Sequence, residues 1–275
     1  MLTEVHVPDD VADAVRLIAG GGTALGGGTS VLPWLNDYAS PPTALVSLRG
    51  AGLSGIQVTG EASGTGETGG TVEIGAATTL AQVEHDARLE DLNQVVRSIA
   101  SVPVRTLATV GGNLFARQPH GDLAVALVAL DARVTLVDES GTRVLPVEEF
   151  LAADPPAGLV TAIAFEQPGP GTFKYTKAAR RRYNSASVVT VAATITESGG
   201  EITSARVALG GVGPRVIRAH AVEAALVGQM LTAETVAAAG RAGKAEIEPA
   251  DDAYASAWYR TRVFPVHLRR ALLGH

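Results

Sequence analysis

The chain of 275 residues contains no cysteine, only two methionines and two tryptophans, and aromatic residues make up 4% of it. Without cysteine it can form no disulfide, thiolate zinc site, cysteine nucleophile or iron–sulfur ligation of its own. Its six histidines (His6, His85, His120, His220, His267, His275) show no HxH or HExxH spacing, so a histidine metal centre would need ligands from distant parts of the fold. Basic residues are scarce, 22 against 28 acidic, and Arg180-Arg181-Arg182 is the one basic cluster. A formal charge of −6 with no basic block argues against a nucleic-acid or anionic-membrane surface. No stretch approaches the roughly 18 apolar residues of a membrane span. The N-terminal MLTEVHVPDDVADAVRL has acid where a secretory signal needs a basic and then an apolar segment. The expectation is a soluble, cytoplasmic protein without a membrane span. The Rossmann GxGxxG, Walker A and GxSxG patterns are also missing, so a nucleotide site here requires another architecture.

What remains is a globular composition, 46% hydrophobic and 18% charged, long enough for one large domain or two modest ones. Pro8-Asp9-Asp10 precedes Val11, Ala14, Val15 and Ile18 at helical spacing, with Gly20 to Gly22 as the stop. Thr23 to Leu25 and Thr43 to Leu48 read as strands. Residues 59 to 71 are small or polar and predict a mobile hairpin tip between Ile56-Val58 and Val72-Ile74. Helices are expected over Thr78 to Asp86 and Leu92 to Ile99, and Val102-Pro103-Val104-Arg105 should break the second. The run LAVALVALDA after Asp122 suits a helix on the core, and Val134 to Val137 with Gly141 begins a hairpin. Pro and Gly in FEQPGPGT, about 165 to 172, mark a domain boundary. Strand-like Phe173 to Tyr175, Val188 to Thr196 and Ile202 to Leu209 follow, with a turn at Gly199-Gly200, and the chain from Ala219 onward reads as largely helical. The expected division is 1–168, with lobes of about 1–55 and 56–168, and 169–275.

Two glycine-rich segments, Gly26-Gly27-Gly28-Thr29-Ser30 and Thr109-Val110-Gly111-Gly112-Asn113, lie about eighty residues apart, each after an apolar stretch that reads as a strand or strand end. Glycine lets a backbone approach an anion closely and turn N–H groups toward it, and the flanking hydroxyls add donors. Two such loops predict two halves of one cradle. A diphosphate needs donors from more than one loop, which points to a dinucleotide.

The segments ALGGGTSVLPWLNDYASPPTALVSL, VPVRTLATVGGNLFARQPHGDLAVALVALDARV, FKYTKAARR, and ALGGVGPRVIRAHAVEAAL with SAWYRTRV occur in that order. Together they resemble the FAD-binding medium subunit of molybdenum hydroxylases, the carbon monoxide dehydrogenase and xanthine dehydrogenase group. The resemblance implies an α+β protein: a two-lobed FAD-binding domain of the vanillyl-alcohol oxidase and MurB (PCMH) type, then a smaller α+β domain. It implies noncovalent FAD, since no His or Cys adjoins the first loop. It assigns Leu25, Gly26, Gly27, Gly28, Thr29 and Ser30 to one pyrophosphate loop and Thr109, Gly111, Gly112 and Asn113 to the other, with Leu107 bordering the cofactor. Asp122 would bind sugar hydroxyls, its alternative being the N-cap of the following helix. Lys177 would stand near the flavin, its alternative being a solvated surface lysine.

No catalytic residue is assigned. Arg105 would lie near the phosphates or in a salt bridge, and His120 stands beside the supposed cofactor without a family counterpart. RRRYNSAS, with Tyr183 and Asn184, lacks an acidic residue that relatives carry near position 185, and the 150–163 connection is shorter than usual. The implied role is an electron-transfer subunit. A molybdopterin-binding large subunit and a [2Fe–2S] small subunit would be its partners in a dimer of heterotrimers. Electrons would leave to NAD, a quinone or oxygen. The alternatives are a stand-alone flavin oxidase or reductase, and a binding module that has lost FAD.

Overall fold

The computed structural model describes residues 2–35, 41–60, 69–117, 119–153, 158–181 and 184–274. Outside them lie most of the expected mobile tip (61–68), Arg182 and Tyr183, and part of the 150–163 connection (154–157). Asp10 starts the first helix, Val11–Ala19, by accepting a hydrogen bond from the Asp13 amide at 2.8 Å. Gly21, at φ +97°, makes the turn that stops it. The helix joins β1 (Glu4–His6) to β2 (Thr23–Leu25), and β3 (Ala44–Ser47) lies between those two strands, parallel to both. Val46 of the central strand and Ala14 of the helix are fully buried in this small core.

A five-stranded antiparallel sheet follows, in the order β4 (Ile56–Thr59), β5 (Thr71–Gly75), β8 (Leu159–Glu166), β6 (Arg133–Asp138), β7 (Gly141–Pro146). Helices Leu80–His85, Glu90–Arg97 and Asp122–Ala129 contribute Leu80, Leu92, Val95, Leu123 and Leu127 to the core it shares. Thr79 begins the first of these with a reciprocal capping box to Gln82, one residue inside the expected start. Glu84 of that helix meets Arg105 at 2.8 Å, and both side chains are largely buried. Arg105 also donates to the Ile99 carbonyl, so it takes the salt-bridge role and not the phosphate role. The Arg105 hydrogen bond holds the Glu84 carboxyl below the usual glutamate value. A depressed pKa contributes stability above the unfolded value of 4.5 that is lost as pH falls through the folded value. Glu84→Gln is therefore expected to flatten the acid side of the stability curve, read from urea midpoints at pH 6 and below pH 4.5; an unchanged acid limb would refute the pairing.

The last unit is an antiparallel sheet in the order β12 (Ile217–Arg218), β11 (Glu201–Gly210), β10 (Ser187–Ser198), β9 (Phe173–Ala179). Gly199 and Gly200, at φ +62° and +89°, form the two-residue turn between β10 and β11. That pairing of positive φ matches the twist of a tight hairpin. Helices His220–Leu226, Ala233–Ala242 and Ala257–Leu273 contribute Val222, Val236, Phe264 and Leu268 to the core against one face. The other face packs on helix Asp122–Ala129, whose eight residues are all buried. The apolar run 123–130 has this cause: a helix clamped between the last sheet and helices Glu90–Arg97 and Val147–Ala152 has no solvent side. No helix among the described residues is long and apolar enough to cross a membrane.

Candidate functional site: two interlocked glycine loops and a buried ion pair

The first glycine loop leaves β2 and runs into the short helix Val31–Leu35. The second does not follow a strand, as the apolar pattern suggested. It follows a single helical turn, Val102–Arg105, with Pro103 near its start, where proline sacrifices no intrahelical bond. Its link to strand-like structure is one bridge, Thr79 with Thr109, made by Leu80 N to Ala108 O and Val110 N to Thr78 O.

The two loops interlock. A Cβ at Gly27 would lie 1.5 Å from the Leu107 carbonyl oxygen, and one at Gly26 would lie 2.6 Å from Thr109 Oγ1. Gly28 sits at φ +76°, and a Cβ at Gly111 would lie 3.0 Å from the Ala76 carbonyl oxygen. A cavity of about 380 Å³ opens at the junction, lined by Gly26 to Val31 and by Thr109, Gly112 and Asn113. Leu25, Leu107 and Gly111 are not among its walls.

The loops contribute differently. The amides of Val110, Gly111, Gly112 and Asn113 donate to Thr78 O, Ala76 O, Thr109 Oγ1 and Thr109 O. The second loop thus spends those donors on its own fold. In the first loop, among the described residues, the amides of Thr29, Ser30 and Val31 donate to no backbone carbonyl. Asn113 Oδ1, in the cavity wall, is buried without a hydrogen-bond partner. An orphaned acceptor costs about 1–3 kcal/mol unless a ligand donor satisfies it. Unspent amides beside a glycine cradle and an unsatisfied acceptor are the donor set a sugar–diphosphate requires. Trp34 and Phe115, 43% and 52% exposed, also line the cavity and were not singled out from sequence. An aromatic beside a glycine loop is the signal that could have found them.

Asp122 and Lys177 do not line this cavity. Asp122 is the first residue of its helix, not the cap, because Gly121 takes that position. Its Oδ2 accepts from Lys177 Nζ at 2.7 Å and its Oδ1 from Thr190 Oγ1 at 2.8 Å. Lys177 also donates to the Ser98 carbonyl at 2.8 Å, and its side chain is only 9% exposed, so it is not a solvated surface lysine. Two of its three donor directions are used. Beneath them Tyr175 OH lies 2.8 Å from Ser98 Oγ, and burial pushes the Tyr175 phenol well above its ordinary value. Sequence reasoning missed Thr190, although a polar Thr amid the apolar residues of VVTVAATI was a visible signal. Thr190→Val keeps the shape but leaves Asp122 Oδ1 without its donor. A loss of about 1–3 kcal/mol is expected in urea denaturation, and a change of less than a few tenths would show that the bond carries no weight.

His120 faces Asp252 Oδ2 at 3.4 Å through Nε2 and packs edge-on against Tyr254. Burial holds its pKa below the ordinary histidine value. Asp252 is also held by Arg260, 1% exposed, which donates to the Val188 and Gly211 carbonyls. His120 therefore belongs to the seam between the domains. Among the described residues no group of three or more His, Asp or Glu could hold a metal ion.

Two lobes that close a glycine cradle, with a third unit joined through a buried ion pair, define a dinucleotide-binding protein built without a Rossmann unit. Residues 2–165 match the family described as the FAD binding domain in molybdopterin dehydrogenase, and residues 174–274 match the CO dehydrogenase flavoprotein C-terminal domain. The chain belongs to this family, as the sequence motifs implied, and is a flavoprotein component of that oxidoreductase group. It is 29% identical to the carbon monoxide dehydrogenase medium chain of Afipia carboxidovorans, over 98% of this chain and 95% of that one. It is 29% identical to the 6-hydroxypseudooxynicotine dehydrogenase complex subunit alpha of Paenarthrobacter nicotinovorans, covering 97% and 92%. Its fold superposes on carbon monoxide dehydrogenase from Hydrogenophaga pseudoflava with a TM-score of 0.88 and 27% identity, covering 99% of this chain and 96% of that one.

Proposed function

We propose that this chain is the FAD-binding electron-transfer subunit of a cytoplasmic molybdenum hydroxylase, assembled with a molybdopterin-binding large subunit and a [2Fe–2S] small subunit. The observation that carries the reading is the interlocked cradle, with its unspent first-loop amides and the orphaned Asn113 oxygen. The amides of Thr29 to Val31 and the Thr109 hydroxyl would hold the diphosphate, with Leu25 to Gly28, Leu107, Gly111 and Gly112 allowing the close approach. Asn113 would accept from a ligand hydroxyl or N–H. Asp122 keeps further lone pairs for sugar hydroxyls, and Lys177 one donor and a fixed positive charge for the ring. When bound, FAD supplies a carrier between one-electron iron–sulfur centres on a companion chain and an acceptor such as NAD, a quinone or oxygen. The cysteine-free chain fits that division of labour, because it can hold the flavin but not the clusters.

The reading is tested by purifying the native assembly and assaying iron, molybdenum and flavin. All three together are expected, with flavin lost selectively from cradle variants. A lone flavoprotein turning over its own substrate would instead establish the stand-alone oxidase or reductase.

A further inference from the structure

A groove of about 830 Å³ runs between the outer strand β9 and the C-terminal helix, apart from the glycine cradle. Arg180, Tyr254, Trp258, Tyr259 and Arg270 are among its walls, and no aspartate or glutamate among the described residues lines it. In a chain of net charge −6 this is a local reversal of sign. Trp258 is 68% exposed, Tyr259 46% and Tyr254 41%, so three large rings stand in water within six residues. Arg262 stacks on Trp258 at 5.5 Å from the ring centre. Arg180 donates to the Ala253 carbonyl, and among the described residues no carboxylate pairs with Arg180, Arg262 or Arg270.

Exposed tryptophan, tyrosine and arginine grouped on one face are the composition of an interaction hot spot, and such a patch on an isolated chain marks a surface that is covered in use. Unpaired arginines select the charge of what covers it, because a carboxylate partner gains both charge and bidentate geometry. The rim decides between a small ligand and a protein. Trp258 lines the groove but Arg262 does not, so a molecule seated in the groove alone would cover the ring and leave the Arg262 guanidinium in solvent.

We propose that this groove and its Trp258 rim are the docking surface for an acidic face of a companion subunit. The inference rests on the reading of the chain as one member of a larger complex.

The experiment compares hydrogen–deuterium exchange of the isolated chain with that of the native complex, and measures assembly of Trp258→Ala and Arg262→Glu. Both side chains are at the surface, so unchanged circular dichroism and flavin content are expected to show intact folding. Protection of 254–270 on assembly is expected, with assembly weakened about 30-fold or more by each substitution. Affinity should fall as salt rises, less steeply in Arg262→Glu. Equal exchange in both states together with wild-type assembly of the variants would overturn the proposal. So would protection that develops in the isolated chain through self-association. Saturable ADP or NAD⁺ binding that quenches Trp258 fluorescence while the patch stays open in the complex would overturn it in favour of a nucleotide groove. A preparation with no companion chain, iron or molybdenum defeats the reading it rests on, whereas an intact complex with an open patch defeats this inference alone.

Discussion

Gly27→Ala is expected to strip the protein of its flavin. A methyl group at this position would sit 1.5 Å from the Leu107 carbonyl oxygen and 2.3 Å from its carbon, well inside van der Waals contact. Backbone cannot swing aside as a flexible side chain can, so the loops must separate. The overpacking itself costs about 1–3 kcal/mol. The larger consequence falls on the ligand. Each charge-assisted hydrogen bond to a diphosphate is worth about 1.5–3 kcal/mol, and losing the geometry of one or two weakens binding about 100-fold or more. The measurement is the ratio of flavin to protein after gel filtration, expected near zero, with native circular dichroism retained. Gly112→Ala supplies the graded comparison. Its Cβ would meet the Thr109 hydroxyl at 2.9 Å, a terminal atom on a rotatable bond, so a milder loss is expected. Wild-type flavin content in Gly27→Ala would refute the cradle.

Lys177→Met is expected to give the largest loss of stability. It removes one partner of an ion pair whose members are 9% and 10% exposed and leaves the Asp122 carboxylate with Thr190 as its remaining side-chain donor. Breaking a buried pair on one side costs about 3–5 kcal/mol, because the stranded charge has lost its solvent and its counter-ion. In a chain of this size that lowers the melting temperature by roughly 10 °C. The double variant Asp122→Leu with Lys177→Met strands no charge and should recover much of the loss. A cycle of the two single variants and the double isolates the coupling. The flavin offers a second readout, since removing a nearby cation should lower its midpoint potential. A Lys177→Met chain less than 1 kcal/mol weaker, with no recovery in the double, would show that the pair does not tie the domains together.

Much of the fold was legible because its signals are local. Asp10 and Gly20 bound a helix by capping chemistry, and Gly199-Gly200 closes a hairpin by backbone freedom. The glycine loops were legible for the same reason: the lack of a side chain is a property of the residue itself. The strand assigned before the second loop was misread because Leu107 and Ala108 carry an apolar pattern without strand partners. Their backbone instead packs on Gly27 and on the start of helix Leu80–His85, a contact no local pattern encodes. Asp122 was misread as a possible cap because Asp before an apolar run is the usual cap signal. Gly121 takes the cap, and the carboxylate is drawn to a lysine 55 residues away.

The sequence by itself determined what this protein cannot carry and the residues from which its cradle is made. No cysteine means no cluster, and two glycine loops between apolar segments mean close approach to an anion. The family motifs then assigned that anion to FAD. Only the tertiary structure decided how the parts are shared out. The second loop spends its amides on its own turn and on the carbonyls of Ala76 and Thr78, the first keeps those of Thr29 to Val31 unspent among the described residues, and Asp122 at a helix start faces Lys177 on β9. The reason is physical: hydrogen-bond saturation and desolvation depend on which groups meet in space, and residues far apart along the chain meet only once the sheets have packed.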